Sequence, residues 1–238
     1  MTIELLRPTL KNNKVYQKIN RELVDICKTS HSPQEAEGLA SCHYMLDYPW
    51  IFLNTSIKST NKVFDAGCGR GVFQIFLARR CELYTVDRRG PHIEKWSKEK
   101  EKQFGVNLNF SCQDLKCTNY EDNFFDYIVS CSSIEHNSFD DAKMIIKEFG
   151  RILKPGGLIV FTLVAWREFR TLYGNAKDPI ITCYNDNEIK ELITNTNLKL
   201  FNAENNFDQF EKLIVEFCNE YPMYGKKYMP VGIIFQKR

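Results

Sequence analysis

Residues 63–89 read VFDAGCGRGVFQIFLARRCELYTVDRR. Two short apolar runs, 63–66 and 83–86, flank glycines at 67, 69 and 71, and Asp87 closes the second run. After the glycines, Val72, Phe73, Phe76, Leu77 and Arg80 recur at helical spacing, with one apolar side. This is a strand, a glycine turn, a helix and a second strand. Glycine tolerates positive φ and close backbone approach, and open α/β sheets hold ligands outside the carboxyl ends of their strands. The spacing narrows the ligand. A dinucleotide fingerprint needs a third small residue at 72 or 74, where Val72 and Gln74 stand, and no Gly-Lys-Ser/Thr phosphate loop occurs. The pattern suits a phosphate-free ligand with a ribose and a charged amino-acid end. Gly67, Gly69 and Gly71 admit its close approach, and Asp65 with the loop carbonyls accepts from an ammonium. Asp87 takes two ribose hydroxyls, and Asp114, ending a third strand, accepts from an adenine amino group.

The rest of the chain supports the frame. KVFDA, LYTVD, LNFSC, FDYIVSC and LIVFTLV are β-branched and aromatic runs suited to strands buried on both faces. Helical patterns separate them. One starts at Pro91; another is capped by Ser138 with Asp141 and carries Ala142, Ile145, Ile146, Phe149, Ile152 and Leu153 up to a stop at Pro155-Gly156-Gly157. Alternation of this kind predicts an α/β fold with a doubly wound, Rossmann-like parallel sheet. Further on, Asn185 opens a helix, LKLFNA reads as a strand, Asp208 opens an amphipathic helix closed near Pro222, and VGIIF is a last strand that can lie antiparallel. Residues 1–60 break the rhythm and read as a helical extension or lid before a domain at 61–238. Tyr16, Ile19, Leu23, Ile26 and Cys27 form one stripe, Ser32-Pro33 with Glu35 starts a second helix, and Pro49 starts a third.

At 238 residues with a net charge of +2, the chain is large enough for one buried core and too balanced to require a polyanion as partner. Nothing in the opening residues reads as a secretory signal, and the longest apolar run, 158–166, is half a membrane span. Nine cysteines, an odd number without a CxxC pair, read as reduced thiols of a cytoplasmic protein, with no structural metal expected.

VFDAGCGRG, YTVD, CQDL, FFDYIVSCSSIEH and RILKPGG, in this order, together resemble the class I S-adenosylmethionine-dependent methyltransferases over about 62–164. The resemblance implies a seven-stranded sheet whose last strand is antiparallel, and S-adenosylmethionine as cofactor. By the same resemblance Asp65, Ala66, Gly67 and Gly69 line the methionine part. Asp87 holds the ribose, with Arg88 beside the adenine; Asp114 and Leu115 frame the adenine; and Ser130, Cys131 and Ser132 close over the cofactor.

For the acceptor, His136 in SSIEHNS is the candidate base, because an imidazole titrates near neutrality; the bland alternative is a structural role in capping. His43, Asp47 and Tyr48 are secondary candidates. Amine methylation of nucleobases or amides is disfavoured by the missing Asn/Asp-Pro-Pro-Tyr segment, and cytosine methylation by the lack of a proline beside Cys131. DYPW with SIEH loosely resembles bacterial enzymes that methylate sugars or surface-glycan precursors. The expectation is a methyltransferase acting on a small or medium-sized hydroxyl acceptor, with nucleic acid and a membrane span disfavoured. A nicotinamide-dependent oxidoreductase and a non-catalytic cofactor binder are the competing readings.

Overall fold

The computed structural model describes residues 3–6, 10, 12–32, 44–167, 169–173, 179–201, 212, 215–216, 219 and 229–238. Its centre is a run of parallel strands: β2 (Lys62–Ala66), β3 (Glu82–Val86), β4 (Phe110–Ser111), β5 (Phe125–Cys131) and β6 (Leu153–Ala165). They lie side by side as β4-β3-β2-β5-β6. The chain winds outward from β2 to β4, then returns to β5 on the other side of β2. The β2/β5 boundary is therefore the point where strand order reverses and a crevice opens.

The carboxyl-terminal strand β10 (Met229–Lys237) runs antiparallel to β6, with register from Met229↔Ala165 to Gln236↔Leu158. Two short strands share its outer edge. β1 (Ile3–Leu5) pairs with residues 231–233 and β9 (Leu198–Leu200) with residues 235–237. The seven-stranded sheet with one reversed strand is thus present, and β1, which the sequence pattern did not reveal, extends it.

Alternation along the strands divides the core in two. Phe64, Ile128, Ile159 and Phe161 join one cluster with Ile145, Ile146 and Phe149 of α5 (Phe139–Ile152). Val63, Val129 and Val160 face the other cluster, with α1 (Lys14–Ser30) and α3 (Val72–Ala78). α3 is buried from Val72 to Leu77 because α1 covers the side away from the sheet. The expected stripe of α1 is its buried face, and Glu22 on that helix takes the Arg80 guanidinium at 2.6 Å. Local signals end the helices where the pattern predicts. Ser138 Oγ accepts from the Asp141 amide at 3.1 Å, Asn185 caps α6 (Asp186–Glu191), and α4 (Pro91–Phe104) opens on its proline.

Two readings change. Pro155-Gly156-Gly157 does not end the helix, which stops at Ile152; it lies within β6, where the register shifts between Phe125 and Tyr127 and the extra residues bulge. α2 (Tyr44–Leu53) carries Pro49 inside it and not at its start. The helices read from Ser32-Pro33 and from Asp208 fall mostly outside the described residues, as does His43.

α2 is fixed to the sheet by one side chain. Trp50 is 1% exposed and lies over Gly232 of β10, where a Cβ would come within 2.4 Å of the indole. Its Nε1 donates to Glu4 Oε2 of β1 at 2.8 Å. Helix and edge strand thus share one anchor on β10, which also brings Asp47 and Tyr48 to the strand tips. Trp50→Ala is expected to cost about 3–5 kcal/mol, and Gly232→Val to destabilise by displacing the ring. Urea unfolding of both variants checks this; wild-type midpoints would show that the indole does not hold α2.

Candidate active site

The glycine turn is tied to the neighbouring strand by a single carbonyl. The amides of Gly67 and Cys68 both donate to Val86 O, at 2.8 and 3.1 Å. This doubles the chain back with Gly67 at φ +73° and Gly69 at φ +54°, a region costly for side-chain-bearing residues. Space is short as well: a Cβ on Gly67 would lie 1.9 Å from Ser133 Oγ. Gln74, fully buried on α3, donates from Nε2 to Gly69 O at 3.0 Å and holds the turn from below.

Asp87 stands at the tip of β3 beside this turn. Its Oδ2 accepts from the Gly69 amide at 3.0 Å and from Arg89 Nη2 at 2.9 Å; its Oδ1 accepts from the Arg89 amide at 2.9 Å and Nε at 3.0 Å. Burial works against ionisation, but the Arg89 guanidinium and these amides outweigh it and hold the pKa below the ordinary carboxylate value. A carboxylate offers about four acceptor positions, and these bonds use them. Any other donor to this carboxylate would have to take the places of the Arg89 side chain, which is 65% exposed.

These groups open on a cleft of about 700 Å³ lined by the glycine turn, Asp87, Arg88, Asp114, Leu115, Cys131, Ser132 and His136. Of the residues expected from sequence, Gly67, Gly69 and Gly71 line it too, whereas Asp65, Ala66 and Ser130 lie beneath it; the Ser130 hydroxyl donates to Ala66 O at 3.0 Å inside the sheet. Pattern reading missed Lys116, Ser133, Asn137, Arg70 and His31, which also line the cleft. Arg70, Ser133 and Asn137 lie within the quoted motifs without a role assigned there, and Lys116 and His31 lie outside them. Lys116 follows Asp114 by two residues and bridges to Asp141 Oδ1 of α5 at 2.9 Å, and His31 reaches in from the end of α1 to Arg70 O at 3.2 Å. Tyr48, stacked on Phe73 at 4.7 Å, forms another wall.

At the tip of β5 the backbone is strained: Ser132 has φ +46°, and its amide donates to Thr162 Oγ1 at 3.2 Å. Asp47 of α2 arrives here. Its Oδ2 accepts from Ser132 Oγ at 3.4 Å and Cys131 Sγ at 3.6 Å. Burial raises the Asp47 carboxyl to about 7, although hydrogen bonds from Cys131, Ser132 and Thr162 oppose it. Glu135, 2% exposed, is raised to about 8 by burial and by Asp47. Asp65 is raised to about 7 by burial and by the Asp87 charge. Burial also drives the Cys131 thiol well above its usual value, so it stays protonated and is no nucleophile.

Residues 63–157 match the family described as methyltransferase domain, a span that begins in β2 and ends at the bulge of β6. This span carries a methyltransferase domain of the S-adenosylmethionine-dependent kind, and the chain is similar to methyltransferases in sequence and fold. It is 28% identical over 102 residues to the ubiquinone biosynthesis O-methyltransferase of Coxiella burnetii, covering 43% of each chain. It is 32% identical over 110 residues to phosphoethanolamine N-methyltransferase 3 of Arabidopsis thaliana, covering 44% of this chain and 21% of that one. The chain spans less than half the length of these curated relatives. In fold it is similar to geranyl diphosphate C-methyltransferase of Streptomyces coelicolor, with a TM-score of 0.62, 12% identity and coverage of 95% and 99%. No small residue stands at 72 or 74, and the methyltransferase-domain match over the glycine turn goes against the nicotinamide reading.

The residues present fit the family's cofactor. The turn excludes any Cβ at Gly67, leaving its backbone open to the cleft, and the one carboxylate reaching across from β3 accepts hydrogen bonds on both oxygens. Asp87→Ala removes both acceptors, and S-adenosylhomocysteine binding is expected to weaken about 100-fold or more by calorimetry; Arg89→Ala removes the competing donor and should tighten it. Unchanged affinity in Asp87→Ala would refute the ribose role.

Buried carboxyls also set a pH dependence. In the folded chain Asp47 and Asp65 keep their protons up to about pH 7 and Glu135 to about pH 8, whereas unfolded carboxyls lose them near pH 4. The folded state binds more protons across that window, so stability falls as pH rises through it and levels above. Urea midpoints without cofactor should be higher at pH 5 than at pH 8, with a flatter profile in Asp47→Asn. A rise in stability between pH 5 and 8 contradicts this.

Proposed function

We propose that the chain transfers a methyl group from S-adenosylmethionine to a hydroxyl of a small or medium-sized acceptor, such as a sugar, a glycan precursor or another metabolite. The observation that carries this reading is the cluster of titratable groups around Ser132. His136 lines the cleft, and Asp47 and Glu135 stand beside Ser132 with carboxyls raised toward neutrality. S-adenosylmethionine supplies a methyl group already activated on a sulfonium, so an acceptor that is a good nucleophile needs only orientation. A hydroxyl must also lose a proton as it attacks, and that loss calls for a base whose pKa lies close to working pH.

His136 is assigned that role. It sits in the 3-10 turn Ile134–His136, its amide donating to Ser133 O at 3.2 Å, so the ring position is set by the turn that ends β5. The Coxiella burnetii relative, named an O-methyltransferase, supports the hydroxyl; the Arabidopsis thaliana relative, named an N-methyltransferase, makes the amine the alternative to test. Near-neutral net charge supports a small acceptor over a polynucleotide. No helix among the described residues is long and apolar enough to cross a membrane.

The experiment is incubation with methyl-labelled cofactor and a panel of hydroxyl- and amine-bearing metabolites, sugars and nucleotide sugars. Label in an ether or ester product supports the reading, label only in amines overturns the hydroxyl assignment, and tight binding without transfer leaves a cofactor binder. With an acceptor in hand, His136→Ala is expected to lower kcat about 100-fold with S-adenosylhomocysteine affinity retained. Turnover equal to wild type removes His136 from the chemistry.

A further inference from the structure

Beyond the cleft, the buried polar atoms without a partner among the described residues include Glu135 Oε2, the Tyr184 hydroxyl, and Nε with Nη2 of Arg170. They come from adjoining elements. Arg170 opens β7 (Arg170–Tyr173), which forms an antiparallel hairpin with β8 (Pro179–Cys183), and Arg170 is in register with Cys183. Tyr184 follows directly, bridged to Ala165 at the end of β6. The hairpin sits on the 3-10 turn that carries Glu135, with Thr182 Oγ1 donating to Asn137 O at 3.1 Å. Cys183 is influenced by both Arg170 and Glu135. Burial raises its thiol, the Arg170 guanidinium pulls it back, and Glu135 pushes it up again. Tyr184, fully buried, also senses the Glu135 charge.

Buried polar atoms are almost always satisfied, and a buried guanidinium edge without an acceptor is costly. The chemistry of the unpaired atoms is specific. Nε and Nη2 are the two parallel donors on one edge of a guanidinium, the fork that grips two oxygens of a carboxylate or phosphate. A carboxyl oxygen and a phenol hydroxyl nearby serve a different partner, a hydroxyl group that both donates and accepts. All of this lies beyond the carboxyl ends of β5 and β6, next to Ser132 and His136, on the same end of the sheet as the cofactor cleft.

Taking the methyl-transfer reading above as its basis, we propose that the β7–β8 hairpin and the 134–136 turn form the acceptor subsite, and that the acceptor is a hydroxylated oxyanion bound side-on by Arg170, its hydroxyl met by Glu135 and Tyr184. Carboxylate and phosphate share the required pair of oxygens. An anion of either type pairs the fork, and the acceptor hydroxyl supplies the donor that Glu135 Oε2 lacks.

The test is calorimetry on the full chain saturated with S-adenosylhomocysteine. The probes are 4-hydroxybenzoate and 3-hydroxybutyrate against their primary amides, and glycerol 3-phosphate against glycerol. Wild type is expected to bind acids in preference to their neutral counterparts, and the arm that binds identifies carboxylate or phosphate. Arg170→Gln should weaken that binding about tenfold or more. Arg170→Lys, which keeps the charge but not the fork, should recover only part of it. S-adenosylhomocysteine affinity should be unchanged in both variants, which shows that they are folded. Equal binding of acids and neutral analogues, absence of binding in both arms, or full acid binding by Arg170→Gln overturns the subsite. Failure of wild type to bind S-adenosylhomocysteine instead overturns the methyl-transfer reading on which it rests.

Discussion

One carbonyl organises the cofactor half of this molecule. Val86 O, the last acceptor of β3, receives two amides from the turn that leaves β2. In a parallel sheet the tips of neighbouring strands normally diverge into separate loops. Here the double bond keeps them together, and the chain can make it only by passing through positive φ at Gly67 and Gly69. The next residue after Val86 is Asp87, so the same tie that bends the turn also brings a carboxylate within 3.0 Å of the Gly69 amide. Backbone amides and one acid converge at a turn without the Gly-Lys-Ser/Thr sequence of a phosphate loop, which suits a nucleoside with an amino-acid end and not a pyrophosphate.

A second constraint acts at the tip of β5. Three carboxyls are buried near each other, two of them beside a serine held at positive φ. Burial of this kind opposes stability at neutral pH, and it persists because Trp50 and the sheet hold α2 in place. Carboxyls near 7 and 8 exchange protons readily at the pH where an unperturbed aspartate only accepts hydrogen bonds.

Sequence and structure agree best where local chemistry is strongest. Glycine spacing, the capping residues Ser138 and Asn185, and Pro91 as a first helical residue act through bonds to their own neighbours, so their consequences can be read without knowing the fold. Pro155-Gly156-Gly157 misled because a bulge in a strand and a helix stop use the same residues; only pairing with β5 separates them. β1 was illegible because a short strand on the outer edge of β10 has no periodicity to display. Asp65 and Ser130 carry the expected types at the expected positions, yet lie below the cleft. Side-chain direction at a strand tip depends on how the turn leaves the sheet, which spacing does not encode. His31 enters from a helix distant in sequence, Lys116 follows directly on CQDL without belonging to it, and the burial of Glu135 depends on the hairpin above it.

The division between what likeness transfers and what it does not follows from where the match ends. Residues 63–157 contain the glycine turn, Asp87, Asp114 and the tip of β5, which line the cleft. Asp47 comes from α2 before that span, and Arg170, Cys183 and Tyr184 come from the hairpin after it. Relatives that match only there include proteins named for oxygen and nitrogen acceptors, as expected if the shared span fixes the methyl donor while flanking segments build the acceptor pocket. The donor is chemically constant and can be met by one conserved geometry of strand tips. The acceptor is not, and recognising it needs charges placed off the sheet, on elements that can change without disturbing the tie between β2 and β3. The fork of Arg170 lies outside the matched span, which is why the proposed acceptor subsite is placed in the hairpin and not in the glycine turn.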